Sequence, residues 1–329
     1  GFKFDWYQRK TKDLLFAPEK LGTVGAEDAP YVNIAAMTNT GVELELSFKN
    51  KWGDFGFDGN TNLTVNRNNI DKLAHLVDFF DYGAGTTRIG TNNRNAVGHP
   101  MSAFYGYQVI GLQQTAGDTL VKQDGQAPGF FKFANIDTTT KVIYGVRRQT
   151  IDPKDRTFIG SPQPKFTYGI NLTFTYKNFD LSTFLYGSYG NDIFNSNRYF
   201  TDFWSAFQGQ KSTDLLYKSW TPERTNTTVP KASSTSNFST DLQVNSYYIE
   251  NGSYLRMKSL QLGYTIPSSI MSRINVKSLR IYVQAVNLFT VTKYSGLDPE
   301  LGGDDRAYGS DTGNYPTVKN FIFGLNLNF

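Results

Sequence analysis

Glu43 and Glu45 lie in a segment where Val42, Leu44, Leu46 and Phe48 alternate with Glu43, Glu45, Ser47 and Lys49. In an extended strand two such carboxylates share a face about 7 Å apart, close to the separation at which an inverting glycosidase seats a water. A general acid and base need environments that drive their pKa values apart. A wet strand face gives both the same environment, so the pair reads as polar surface. The two histidines, His75 and His99, fall in one long segment between strands, and no Ser, Cys or acid stands in a recognisable motif around either. The chain has no Cys, which removes disulfides and thiolate metal sites. Aromatics are more informative. Tyr105, Tyr107, Trp204, Phe207 and Trp220 lie in inter-strand segments, where rings either stack on a sugar or peptide held by nearby amides or pack the segments themselves. The chemistry expected is ligand binding without catalysis.

The elements that must position these groups are strands. Phe166, Tyr168, Ile170, Leu172, Phe174 and Tyr176 interleave with Thr167, Gly169, Asn171, Thr173, Thr175 and Lys177, one face apolar and the other wet. Similar alternation over Phe55 to Val65, Phe179 to Tyr189, Tyr254 to Ile266, Leu279 to Phe289 and Asn320 to Phe329, with the opening segment, predicts roughly eight long strands. Aromatics make up 15% of the chain, yet no apolar run approaches the ~20 residues of a membrane helix. A net charge of +4, with Lys and Arg scattered among acids, excludes a phosphate-tracking stripe and hence nucleic acid. Connections alternate in length. Asn50 to Asp54 and Lys177-Asn178 are tight turns, whereas 17–32, 70–163, 191–250 and 290–318 are long. This asymmetry predicts an antiparallel transmembrane β-barrel, or a large part of one, with short periplasmic turns and long extracellular loops. Within the loops, Trp204 to Trp220 predicts a short helix and Thr225 to Thr240 a flexible or ligand-dependent stretch. Phe321, Phe323, Leu325, Leu327 and Phe329 form an alternating last strand that ends on an aromatic, as strands read by the barrel-assembly machinery do. The first residues lack a basic and an apolar leader region, so the true N-terminus is expected elsewhere.

Several segments carry a resemblance: Asp5-Trp6-Tyr7 through Leu15, Asn39-Thr40-Gly41 through Leu46, Gly187 through Asn195, Tyr254 through Pro267, Asn287-Leu288-Phe289 with Lys293 through Glu300, and Tyr315-Pro316. Together they resemble the C-terminal half of SusC/RagA-like TonB-dependent transporters over nearly the whole chain. The resemblance implies that residues 1–329 are the C-terminal part of one barrel of about 22 strands in the Gram-negative outer membrane, with the plug and TonB box outside this chain. It also implies import of oligosaccharide or peptide, energised by TonB, beneath a SusD-like lipoprotein. Asp152-Pro153-Lys154-Asp155 occupies the place of a calcium-loop-like segment in relatives, which makes Asp152 and Asp155 candidate ligands of a structural calcium and an Asx turn the plain alternative. No other cofactor is expected. Asp298 and Glu300, in an acidic outer loop, are candidate partner or loop contacts, to the cap protein, a cation or sugar hydroxyls, with a solvated loop fixed by Pro299 as the plain alternative. A porin-like or structural barrel without energy coupling is the competing reading, and a plug upstream would decide. A soluble glycan-binding or glycan-cleaving β-protein would require a second sheet over the apolar face.

Overall fold

A computed structural model of the protein describes residues 1–16, 32–73, 77–83, 89–116, 121–143, 146–272 and 276–329. His75 and most of the 17–32 segment lie outside the described residues. Eight long strands form one antiparallel sheet in chain order: β1 (Phe2–Phe16), β2 (Val32–Trp52), β3 (Phe55–Lys72), β4 (Phe166–Tyr176), β5 (Phe179–Tyr189), β6 (Tyr254–Thr265), β7 (Ser278–Val286) and β8 (Asn320–Asn328). A short strand, Thr290–Thr292, pairs with the start of β6.

Register preserves the alternation across the sheet. Trp6 faces Val42 and Val42 faces Val65, while Tyr168 pairs with both Leu63 and Gly187, so apolar side chains fall on one face throughout. On the other face Asp180 receives Arg280, whose Nε and Nη2 donate at 2.9 and 2.5 Å. The apolar face is exposed, from Phe4 and Trp6 to Phe323 and Phe329. A sheet with one bare apolar face is one solvated by lipid. Trp52 to Val42, Phe55 to Val65, Tyr176 to Phe166 and Phe179 to Tyr189 each take ten residue steps between belt ends. At ~3.3 Å per residue and ~40° tilt that is about 25 Å, the height of an outer-membrane apolar band. Among the described residues β1 pairs with β2 and β8 with β7, and the outer edge of each is unpaired. Open edges are not tolerated in lipid, so the sheet is an arc of a larger barrel.

Both tight hairpins lie at one end. Gly53 (φ 59) and Lys177 (φ 50) supply the left-handed residues that two-residue turns need. Three cross-strand pairs set a tyrosine directly over a glycine: Tyr7 on Gly41, Tyr168 on Gly187, and Tyr282 on Gly324. A Cβ on any of these glycines would overlap the ring. The ring covers backbone that glycine leaves bare and so pins register. Gly187→Val is therefore expected to reduce outer-membrane yield, read as loss of the heat-modifiable folded band on cold electrophoresis. Gly53→Ala in the open turn has no such neighbour and tests φ alone.

At the opposite end the long segments fold together. Strands Phe79–Tyr82, Asn93–Ala96, Ala103–Tyr107 and Arg156–Gly160 form one sheet. Asp192–Asn195 lies between Ile249–Asn251 and Ser310–Asp311. The largest buried apolar cluster sits here and not behind the barrel wall. Phe104, Tyr107, Phe131 and Phe133 from 70–163 meet Phe194, Phe203, Trp220, Tyr247 and Tyr248 from 191–250. The 290–318 segment is tied in by Asn92 to Ser310 (2.8 Å) and Asn95 to the Arg306 carbonyl (3.1 Å). Two expectations need correction. The helix foreseen over Trp204 to Trp220 spans only α2 (Thr213–Lys218), capped by Ser212, and another forms earlier as α1 (Asn197–Thr201). Thr225 to Thr240 is not a loose stretch throughout, for Val229, Ser239 and Thr240 are buried and the Ser239 carbonyl accepts from Phe131 N–H at 2.9 Å. A Ser/Thr/Asn-rich composition does not distinguish a mobile loop from one whose hydroxyls satisfy buried backbone.

Candidate functional site: the extracellular loop unit

The anchor of this unit is a charge cluster on β6. The ladder between β5 and β6 shifts between Phe184 and Leu185, where Phe184 pairs with Ser259 and Leu185 with Met257. The extra residue there is Lys258; it stands two residues from Arg256, so the period of two already sets both on one face, and both reach the same loop. Arg256, 2% exposed in its side chain, donates Nη2 to Asp298 Oδ1 at 2.5 Å, Nη1 to Glu300 Oε2 at 2.5 Å and Nε to Thr290 Oγ1 at 2.8 Å. Lys258 Nζ lies 2.6 Å from Glu300 Oε2. Asp298 also accepts from Glu300 N–H, Thr317 N–H and the Thr317 hydroxyl. Burial pushes the Asp298 carboxyl up, but these hydrogen bonds and Arg256 outweigh it and hold the group below the usual carboxylate range. Asp298 and Glu300, expected at an outer contact, thus bind the barrel wall and latch the 290–318 segment.

Asp152 and Asp155 are likewise committed to the chain. Asp155 is fully buried and accepts from Ile136, Asp137 and Asp152 N–H, and Asp152 accepts from Lys154 N–H and the Lys141 ammonium. Together they form a capping box around Pro153–Asp155. Among the described residues no group of three or more His and acidic side chains is placed to hold a metal ion. Glu45 accepts from Asn60 at 2.7 Å on the lumen face. His99 stacks on Phe158, with ring centroids 3.7 Å apart.

The five aromatics divide. Tyr107 and Trp220 are 2% and 5% exposed, so they pack the loop core and offer no open ring face. Burial pushes the Tyr107 hydroxyl up to about 12. Tyr105 is half-buried, and its ring is covered by the Arg94 guanidinium at 3.6 Å, which also lies over Phe79 and pairs with Asp81. Trp204 and Phe207 are exposed. Lys211 lies 5.8 and 5.4 Å from their ring centres while its ammonium donates to the carbonyls of Phe200, Phe203 and Phe207.

Among the cavities of the unit, two share Arg198. The larger, about 600 Å³, is lined by Asn195, Asn197, Arg198, Asp202, Asp214, Glu250 and Ser295 among others. The second, about 410 Å³, lies against Val109 to Leu112, Thr228 and Tyr247. Arg198 separates them. Its guanidinium lies 3.7 Å from the Tyr247 ring centre and donates to Asp202 (3.0 Å) and the Tyr247 carbonyl (2.7 Å). Acids outnumber cations around the larger cavity, which suits sugar hydroxyls or an amine. None of the five aromatics lines either cavity. Arg198 and Asp202 carry only the i,i+4 spacing of an ordinary helical ion pair, and Glu250 joins them from about fifty residues away, so no local motif marks the three as a site.

A lipid-facing belt topped by a packed, cavity-bearing cap defines a transmembrane β-barrel of the outer membrane. No model of a known protein family matches the chain. TonB-dependent receptor P3 of Formosa agariphila is 32% identical over 99% of this chain and 32% of the receptor. TonB-dependent receptor SusC of Bacteroides thetaiotaomicron is 27% identical over 99% of this chain and 30% of SusC. A solved structure of the RagAB peptide transporter superposes with a TM-score of 0.80 at 28% identity, covering 100% of this chain and 33% of that one. The chain thus spans about a third of the length of these relatives. Over its whole length the chain is similar to the barrel part of SusC/RagA-like TonB-dependent receptors.

Proposed function

We propose that the protein containing this chain imports an oligosaccharide or peptide nutrient across the outer membrane, energised through TonB and capped by a SusD-like surface lipoprotein. The observation that carries the reading is that likeness to a peptide transporter extends over the whole chain, outer segments included. In this scheme the β6 latch holds the outer unit on the barrel mouth, the acid-lined cavity receives polar ligand groups, and the ligand leaves chemically unchanged. The test is to express the complete gene, extract it in mild detergent and weigh the native complex. A co-purifying lipoprotein and an intact ligand support the proposal. A barrel that admits solutes equally in cells lacking TonB sinks it in favour of a porin-like pore.

Trp204 and Phe207 are the sequence-chosen rings that remain open to a ligand. Trp204→Ala with Phe207→Ala is expected to weaken ligand binding by about 1–2 kcal/mol, the scale of stacked rings, measured by calorimetry on the purified complex. Melting should fall only slightly, because about half of each ring is already in solvent and the rest meets Lys211 and Phe200 at the margin of the unit.

A further inference from the structure

The sheet's lipid face changes character just beyond the apolar belt on β1 to β3. Past Trp6, β1 presents Lys10 on the outward side. Past Val65, β3 presents Arg67, which pairs with Thr40 of β2. Lys10 pairs with Thr38, and Thr38 with Asn69. The face is confirmed by Asp71, whose carboxylate accepts from both the Thr38 hydroxyl (2.5 Å) and Asn69 (3.0 Å). Lys12 follows on the exposed surface where β1 begins to bulge. Arg67 is exposed and donates to the backbone carbonyls of Asn66, Pro164 and Lys165, which orient the guanidinium without neutralising it. Lys10, Lys12 and Arg67 against Asp71 sum to +2.

Arg67 lies two residues and Lys10 four residues past the belt. With the same rise and tilt that puts the Arg67 backbone about 5 Å above the hydrocarbon edge, within the headgroup layer, and the Lys10 backbone about 10 Å above it, from which the lysine stem can reach back to that layer. The geometry points to a site for a phosphate-bearing anionic lipid headgroup, held against β1 to β3 by Lys10, Lys12 and Arg67 with Thr38 and Thr40 beside them. Cations at headgroup depth match phosphate oxygens, and the belt below holds the acyl chains in the same position. The lipid is thus a structural partner of the wall, separate from the nutrient.

The test uses the complete protein in detergent, with native mass measurement after adding an anionic phospholipid, a zwitterionic phospholipid of the same chains, or inorganic phosphate. Wild type should retain the anionic lipid preferentially. Lys10→Gln/Lys12→Gln/Arg67→Gln should lose that retention by about tenfold or more. Lys49→Gln/Lys51→Gln, at the hairpin end of β2, removes charge elsewhere and should not. Heat-modifiability verifies folding of each variant. Equal retention of the two lipids, equal retention by the triple variant, or full competition by millimolar phosphate would each overturn the inference, the last by reducing it to a free-anion site.

Discussion

Arg256→Ala should destabilise the loop unit more than any other single change at the latch. The guanidinium is buried and meets Asp298, Glu300 and Thr290 at once. Truncation leaves Asp298, itself buried, without its cation. Removing one partner from a buried pair costs about 3–5 kcal/mol, mostly because a stranded charge remains. Arg256→Lys should rescue little, since one ammonium cannot reproduce the guanidinium fork. The measurement is limited proteolysis of the 290–318 segment in the purified protein, with heat-modifiability as a control for the barrel. Cleavage no faster than in wild type would refute the latch. The pH dependence has a definite sign. The folded Asp298 carboxyl lies below its ordinary value, so its stabilisation is complete above about pH 4, the unfolded carboxylate range, and is lost as pH falls through the lower folded value. Protection of the segment should therefore persist through mildly acidic pH and fail only below about pH 4.

Phe131→Ala should open the outer unit while sparing the wall. Phe131 has no exposed surface, and its ring lies 5.9 Å from Phe203 and 5.1 Å from Tyr247, joining the 70–163 and 191–250 segments. Deleting such a ring costs about 3–5 kcal/mol. The loop cluster has its own core, separate from the lipid-facing belt, so the loss should fall on that cluster. The expected result is rapid hydrolysis of both outer segments and loss of ligand binding, with the folded barrel band retained. Loss of the barrel band as well would show that cap and wall fold as one cooperative unit.

Local pattern already carries the wall. Phe166 to Tyr176 alternates so regularly that the face, the strand length and the ten-step belt follow from side-chain parity alone, because the period of two is a property of extended backbone. Lys177-Asn178, with eleven-residue strands on either side, likewise announces its hairpin. The outer site was less legible. Tyr107 and Tyr105 look alike in sequence, yet one is core and the other is stacked beneath Arg94. Asp298-Pro299-Glu300 reads as a solvated acidic loop until the fold sets Arg256 and Lys258, some forty residues earlier, against it. The division has a physical cause. Strand alternation and turn chemistry act between neighbouring residues, and so the sequence alone determined the lipid-facing wall. The loop core, the cavities flanking Arg198 and the latch depend on contacts between distant segments, and only the tertiary structure decided which charges pair and which rings stay open to a ligand.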